Sequence, residues 1–350
     1  MSLVPVDVPK GYRREGPVVT VLGSDKNLDL TTAEPSPYMV HGGKIWRVLK
    51  TTLKVGVLVS VVGAYPAMMW SSHSINDSAV EEVSQETWAS PAAGVAISLV
   101  VREVEGPGWT GDKPAIAPAQ QLTGQPAWQV GLTNALSDYL QLAATGVDTT
   151  GEIDPDLAAA SRLLRAKDDA EMTPRLVAAT EALARYNGRV HADIAVDLDA
   201  GTDFAQSLRL FAGWANQSAA DLSALIGHDQ GWPASREDVH AFYTARARAH
   251  VVANLINAAM ETHPELMGRA SVRAQLRDTQ RAWSIVASQS PLVVSNQNGD
   301  GALLPNHLAA MAWHLERAEA SSLELAELVL GAQPDVTLAG VDDVVLTSSP

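Results

Sequence analysis

From Val55 to Trp70 the chain carries no charged residue, within the apolar run "LKVGVLVSVVGAYPAMMW" that begins at Leu53. Nothing else in the sequence restricts the fold as much. As an α-helix, Leu53–Trp70 would measure about 27 Å, against a hydrocarbon core of about 30 Å. The flanks close the difference. Lys50 and Lys54 have stems long enough to reach back to a headgroup surface, and Trp46, Tyr65 and Trp70 stand where interfacial aromatics sit. Pro66 falls near the end, where the interface satisfies the hydrogen bond that proline removes. The expectation is a transmembrane helix with its flanks over 44–71, making the lipid bilayer a partner through Leu53–Trp70. A buried core helix is the alternative. A cleaved leader fits poorly, because the run begins too far from the first residue.

Charge sets the orientation. Lys44, Arg47, Lys50 and Lys54 precede or open the run; Asp77, Glu81, Glu82 and Glu86 follow it, with no Lys or Arg before Arg102. The positive-inside rule places the N-terminus in the cytoplasm and everything beyond 71 outside it. The formal net charge of −15 argues against nucleic acid as a partner, because phosphate binding needs clustered cations. The chain has no cysteine, which excludes disulfides, thiolate nucleophiles and cysteine-ligated metal. Residues 1–43, with "EGPVV", "AEPSPY" and "HGG", read as a disordered cytoplasmic tail, and 72–93 as a stalk.

The rest reads as an all-α exported domain over 94–330, a multi-helix bundle on the one N-terminal transmembrane helix. Residues 331–350 form a C-terminal tail. In "GVAISLVVREV" (94–104), Val95, Ile97, Leu99 and Val101 alternate as in a short strand, with no obvious partner strand; a helix is the other option. Seven helical segments follow, joined by short connections. "DPDLAAASRLLRA" opens on Asp154 as N-cap and Pro155 as the first helical residue, and "TPRLVAATEALARYNGRVHADIAV" is read the same way from Thr173 and Pro174. "HPELMGRASVRAQLRDTQRAWSIVA" reads as one helix.

Four groups of residues are candidate sites. In "NQNGDG", Asn296, Asn298, Asp300 and Gly301 match the first half of a calcium loop, but the twelfth position is His307 rather than a bidentate Glu. A turn before a helix capped by Asn306 accounts for the same residues. His307 and His314 share a helix face at a spacing of seven, where metal pairs use four, so no metal site and no cofactor is expected. Asp193, Asp197, Asp199 and Asp203 gather near His191 in "HADIAVDLDAGTD", which a solvated helix end explains as well as acid–base chemistry does. The fourth group is on the helix from Ser235. Phe242, Ala245, Ala249, Val252, Ile256 and Ala259 make an apolar stripe, and Tyr243, Arg246, His250, Asn254 and Asn257 lie beside it at spacings of three and four. This polar seam is either an inter-helix network or the lining of a cleft. If Arg246 is buried, it requires a carboxylate partner.

"SPLVVSNQNGDGALLPNHLAAMAWHLERA" resembles the C-terminal signature of a proteobacterial domain-of-unknown-function family, number two-three-three-three, through Pro291, Asn298, Gly299, Asn306, His307, Leu308 and Ala309. "AFYTARARAH" is similar to its "F-Y-x-A-R-G" helix through Phe242, Tyr243, Ala245 and Arg246, with Ala247 in place of the glycine. "LTGQPAWQVG" resembles its "L-D-N-M-P-N-F-Q-L-G" through Leu122, Pro126, Gln129 and Gly131. The resemblance implies a single-pass inner-membrane protein facing the periplasm, and no reaction.

The functional expectation is a binding or scaffolding protein of the cell envelope, with a protein partner in the membrane or periplasm. An accessory subunit of an inner-membrane complex is one alternative. The other is a hydrolase of an envelope polymer, using a carboxylate near Tyr243, Arg246 and His250 in an open cleft. No residue set resembles a nucleophile–base pair.

Overall fold

The computed structural model describes residues 46–57, 59, 75–80, 88–146, 153–167, 171–198, 202–227, 234–297 and 305–331. The chain divides into two units, Met1–Val61 and Val62–Pro350. In the first, residues 46–57 are helical and exposed, including the apolar Leu53, Val55 and Val57. Most of the apolar run, with both tails, lies outside the described residues. Among those residues no helix is long and apolar enough to cross a membrane.

The described part of the second unit is all helical. In chain order come α1 (Pro91–Glu105), two short 3₁₀ turns (Thr110–Asp112 and Pro118–Gln121), α2 (Gly124–Gly146), α3 (Pro155–Leu164), α4 (Met172–His191), α5 (Thr202–Leu225), α6 (Arg236–Thr262), the single turn α7 (Pro264–Met267), α8 (Ala270–Ala287) and α9 (His307–Gly331). α6 is the axis of the bundle and packs against α1, α2, α5 and α8; α9 lies along α5 and α8. Between Phe242 and Ala259, all but Thr244, Arg248 and Asn257 of its residues are buried. A helix enclosed on every side is apolar nearly all round, so the polar residues inside α6 stand out.

Small residues let the axis be approached closely. A Cβ on Gly131 of α2 would lie 3.0 Å from the Thr244 Cα and 3.1 Å from the Ala247 Cβ. A Cβ on Gly124 would lie 2.7 Å from the Tyr243 ring. The two glycines, seven apart on α2, seat it directly on α6.

Local chemistry explains where most helices start. Ser90 caps α1 with Pro91 next; Asp154 caps α3 with Pro155 next; Ser235 and Asp238 form a reciprocal capping box on α6. The Asn306 Oδ1 accepts from the Ala309 N–H at the start of α9. Three expectations are corrected. Residues 94–104 are helix, not strand: Ala92, Ala96 and Val100 at steps of four are buried together with Val95 and Leu99, so the apparent alternation reflects burial on two faces of a helix. Thr173 is not an N-cap. α4 begins at Met172, and its first amides are bonded by Asp112 from the 3₁₀ turn, at 2.9 Å from the Met172 N and 2.7 Å from the Thr173 N. Burial works against the charge on Asp112, but these amides and the Thr173 hydroxyl outweigh it and hold the carboxyl below its ordinary value. The segment from His263 is two helices, α7 and α8, broken at residues 268–269.

Residues 75–80, in the stretch read as a stalk, run without secondary structure against the bundle. Ile75 and Val80 pack on its core.

Candidate functional site

The polar residues of α6 run along one face, and residues 75–80, which have no regular secondary structure, lie across it as a strap. Three side chains hold the strap. The Arg102 guanidinium of α1 donates to the Ser78 carbonyl at 2.7 Å and to the Ala79 carbonyl at 3.1 Å. The Asn254 Oδ1 accepts from the Val80 N–H at 2.8 Å. Arg246 donates to the Asp77 carboxylate in an ion pair. The carboxylate that a buried Arg246 requires is therefore Asp77, which lies 169 positions away in the chain.

Beneath the strap the seam is closed. The Asn254 Nδ2 donates to the His250 carbonyl at 2.8 Å and lies 3.4 Å from the His250 Nε2. The His250 ring sits against Trp128 of α2, centroids 5.2 Å apart. Burial drives the His250 pKa down to about 4; the nearby Asp77 opposes this, and the cations Arg102 and Arg246 reinforce it. The imidazole is therefore neutral at ordinary pH. Asn257 is half-buried one turn on.

Towards the start of α6 the seam opens into a cavity of about 820 Å³. Tyr243 and Arg246 form one side of it. Ile75 and Asp77 of the strap, Gln121–Thr123 before α2, Gly124 at its start, Val239 of α6, and residues Ser290–Val294 after α8, which bend at Leu292 and Val293, form the rest. Arg246 is fixed from behind: its Nε donates to the Ala287 carbonyl at 2.9 Å, and its guanidinium lies 5.5 Å from the Trp128 ring centroid and 6.0 Å from that of Tyr243. Burial lowers the Arg246 pKa while Asp77 acts to restore it. The guanidinium stays charged, as arginine does in proteins.

Behind Trp128 lies a buried carboxylate that sequence reasoning missed. Glu103 of α1 accepts from the Trp128 Nε1 at 2.9 Å and the Gln129 Nε2 at 3.0 Å. Desolvation raises its pKa although both bonds act against the rise. Trp128 thus bridges the Glu103 carboxylate and the seam.

The other candidates stay apart. Asn296 is fully buried: its Nδ2 donates to the Leu225 carbonyl at 2.9 Å and to the Asp238 Oδ1 at 3.2 Å, and its Oδ1 accepts from Asn306 at 3.3 Å. It ties together the end of α5 and the starts of α6 and α9. The His307 Nδ1 accepts from the Ser295 N–H at 3.0 Å. Asn298, Asp300 and Asp199, with the side chain of Asp203, fall outside the described residues. His314 lies edge-on to Trp313, and His191 and Asp193 are exposed, Asp193 in a left-handed turn with φ 55°. Among the described residues, no three His, Cys, Asp or Glu side chains are grouped to hold a metal ion.

The chain matches no family model. No curated protein is similar to it. No solved structure matches its fold.

Proposed function

We propose that this chain is a single-pass membrane protein of the bacterial envelope, anchored by Leu53–Trp70, whose helical domain serves outside the cytoplasm as a binding module. Its recognition site is the cavity beside Arg246. The cavity carries this reading. It is of small-molecule size, its walls are mainly apolar with the polar Gln121, Thr123 and Ser290 among them, and one buried guanidinium stands in its side. Its described lining contains no Ser, Cys or Lys placed beside a base. The hydrolase reading expects an open cleft with a carboxylate, and Asp77 answers to that. But its neighbour is Arg246, and His250 lies beneath the strap; the other titratable group of the described lining is Tyr243, whose pKa burial raises, so its hydroxyl stays protonated and supplies no base. Binding is therefore the better reading.

The anchor is supported by the uncharged run, by basic residues ahead of it and acidic ones behind, and by the exposure of Leu53, Val55 and Val57. The proposed kinship with the domain-of-unknown-function family agrees with this layout. In spheroplasts, added protease is expected to digest the helical domain and spare an epitope at the N-terminus. Deleting 53–70 is expected to release the domain from the membrane fraction. A protected domain, or unchanged membrane association after the deletion, contradicts the proposal.

A further inference from the structure

We infer that the cavity takes a small amphiphilic carboxylate, whose anionic group replaces the Asp77 side chain on Arg246 and so loosens the strap. The inference rests on the reading of the cavity as a recognition site and adds the class of ligand and a consequence of binding.

The ion pair is lopsided. The Arg246 side chain is 3% exposed and that of Asp77 44%. Losing the pair therefore has different consequences for the two partners. Asp77 can turn to water, where a carboxylate is well solvated. Arg246 cannot, and a buried cation left without an anion is strongly unfavourable. A second carboxylate entering the cavity removes that difficulty, because one anion leaves as another arrives and the guanidinium is never unpaired. Arg246 would not follow Asp77 outward. The Ala287 carbonyl and the faces of Trp128 and Tyr243 hold it from the other side. A planar guanidinium fixed in this way is suited to a carboxylate's two oxygens.

The rest of the lining defines the ligand's body. Asp77 and Arg246 are the charged residues among the described lining; Leu122, Val239, Pro291, Leu292 and Val294 supply aliphatic surface. Leu292 is 81% exposed, so a bound alkyl group has apolar area to remove from water. One cation set among aliphatic walls matches one anionic group on an apolar body. A polyanion would leave charge unmatched; Gln121, Thr123 and Ser290 also line the cavity, but a sugar would still set hydroxyls against Leu122, Val239 and Pro291.

The consequence follows from the strap's fastenings. Asp77 is held by Arg246, Ser78 and Ala79 by Arg102, and Val80 by Asn254. Occupancy of Arg246 by a ligand removes the first of these, and the strap then opens more often at the others, including the Asn254 bond to the Val80 amide. The leading end of the strap, which follows the apolar run in sequence, is the part released.

The test uses the full-length chain in nanodiscs, titrated by calorimetry with octanoate, octan-1-ol and acetate, and followed by hydrogen exchange at the Val80 amide. Octanoate should bind ~10-fold or more tightly than either of the others, the size of one charge-assisted hydrogen bond made without water. Asp77→Asn should tighten octanoate binding, because the resident competitor loses its charge. Arg246→Gln should abolish the preference for octanoate over octan-1-ol, and Val80 should exchange faster with octanoate present. Octan-1-ol binding as tightly as octanoate overturns the carboxylate class while leaving an apolar recognition site. Weaker octanoate binding by Asp77→Asn, or slower Val80 exchange on binding, overturns the replacement of Asp77. Asp77→Asn carries the test even if Arg246→Gln fails to fold. Binding of none of the three overturns the inference; access to the cavity itself is measured separately, by labelling a cysteine placed in its wall.

Discussion

The two ends of the α6 seam are built from the same kinds of residue and do different things. At Asn254 and His250 both ends of the Asn254 amide are bonded within the protein, the strap lies on top, and the imidazole is buried and kept neutral. At Arg246 and Tyr243, two turns earlier, the same face meets a cavity, and the charge is balanced by a carboxylate that is nearly half exposed. A polar seam inside a helical bundle is thus neither network nor cleft as a whole. What lies over each turn decides which it is.

The largest expected effect is at the open end. Arg246→Ala removes a buried cation together with its bonds to Asp77 and Ala287, and should lower stability on the order of 3 kcal/mol, read from the urea midpoint. A loss below about 1 kcal/mol, within the range of an exposed ion pair, would show that the open end is not built around this residue. Asp77→Asn leaves the buried Arg246 cation facing a neutral amide and should cost on the order of 3 kcal/mol, comparable to Arg246→Ala although the substituted side chain is itself nearly half exposed. A cost below about 1 kcal/mol, as for an exposed ion pair, would show that Arg246 does not depend on its anion.

The closed end is tested by acid. The His250 pKa is about 4 in the fold against 6.5 for an unburied imidazole. Between those values the unfolded chain binds the extra proton and the native protein does not, so stability falls as pH falls. The difference is worth about 3 kcal/mol across the window, at 1.36 kcal/mol per pH unit. Glu103 acts the other way: its raised pKa means that protonation in acid favours the fold. His250→Asn should flatten the acid side of the stability profile, measured by urea melts from pH 7 to pH 4. An unchanged slope would contradict the buried, neutral imidazole.

A smaller change sharpens the contrast. Asn254→Ala leaves the Val80 N–H without its acceptor and should cost about 1–2 kcal/mol, with faster exchange of that amide.

Much of the seam is legible in the sequence. Tyr243, Arg246, His250, Asn254 and Asn257 follow helical spacing beside an apolar stripe, and that periodicity places them on one face whatever the fold around them. The need for a carboxylate on Arg246 is equally legible from charge burial. Its identity is not, because Asp77 lies in a polar stretch that reads as a stalk and meets Arg246 only through the tertiary fold. Thr173 fails as a cap for a related reason: the local motif was present, but Asp112 reaches the same amides from another element. In 94–104 the alternation of Val95, Ile97, Leu99 and Val101 competed with a four-residue period in which Ala92, Ala96 and Val100 count as apolar. Small residues blur that distinction, and in an alanine-rich bundle they carry the packing. Gly124 and Gly131 illustrate this. Their spacing of seven marks a close approach of two helices, but nothing in the spacing names Tyr243, Thr244 and Ala247 as what they approach.

The absence of native cysteine makes the central contrast directly measurable. Single cysteines at Val239→Cys, in the cavity wall, and at Asn254→Cys, beneath the strap, would be labelled with a charged maleimide in the folded full-length chain. The account predicts rapid modification at the first position, and at the second a rate at least ~10-fold slower that rises to match it only in denaturant. Equal rates in the folded protein would contradict it, whether both sites reacted quickly or both were shielded.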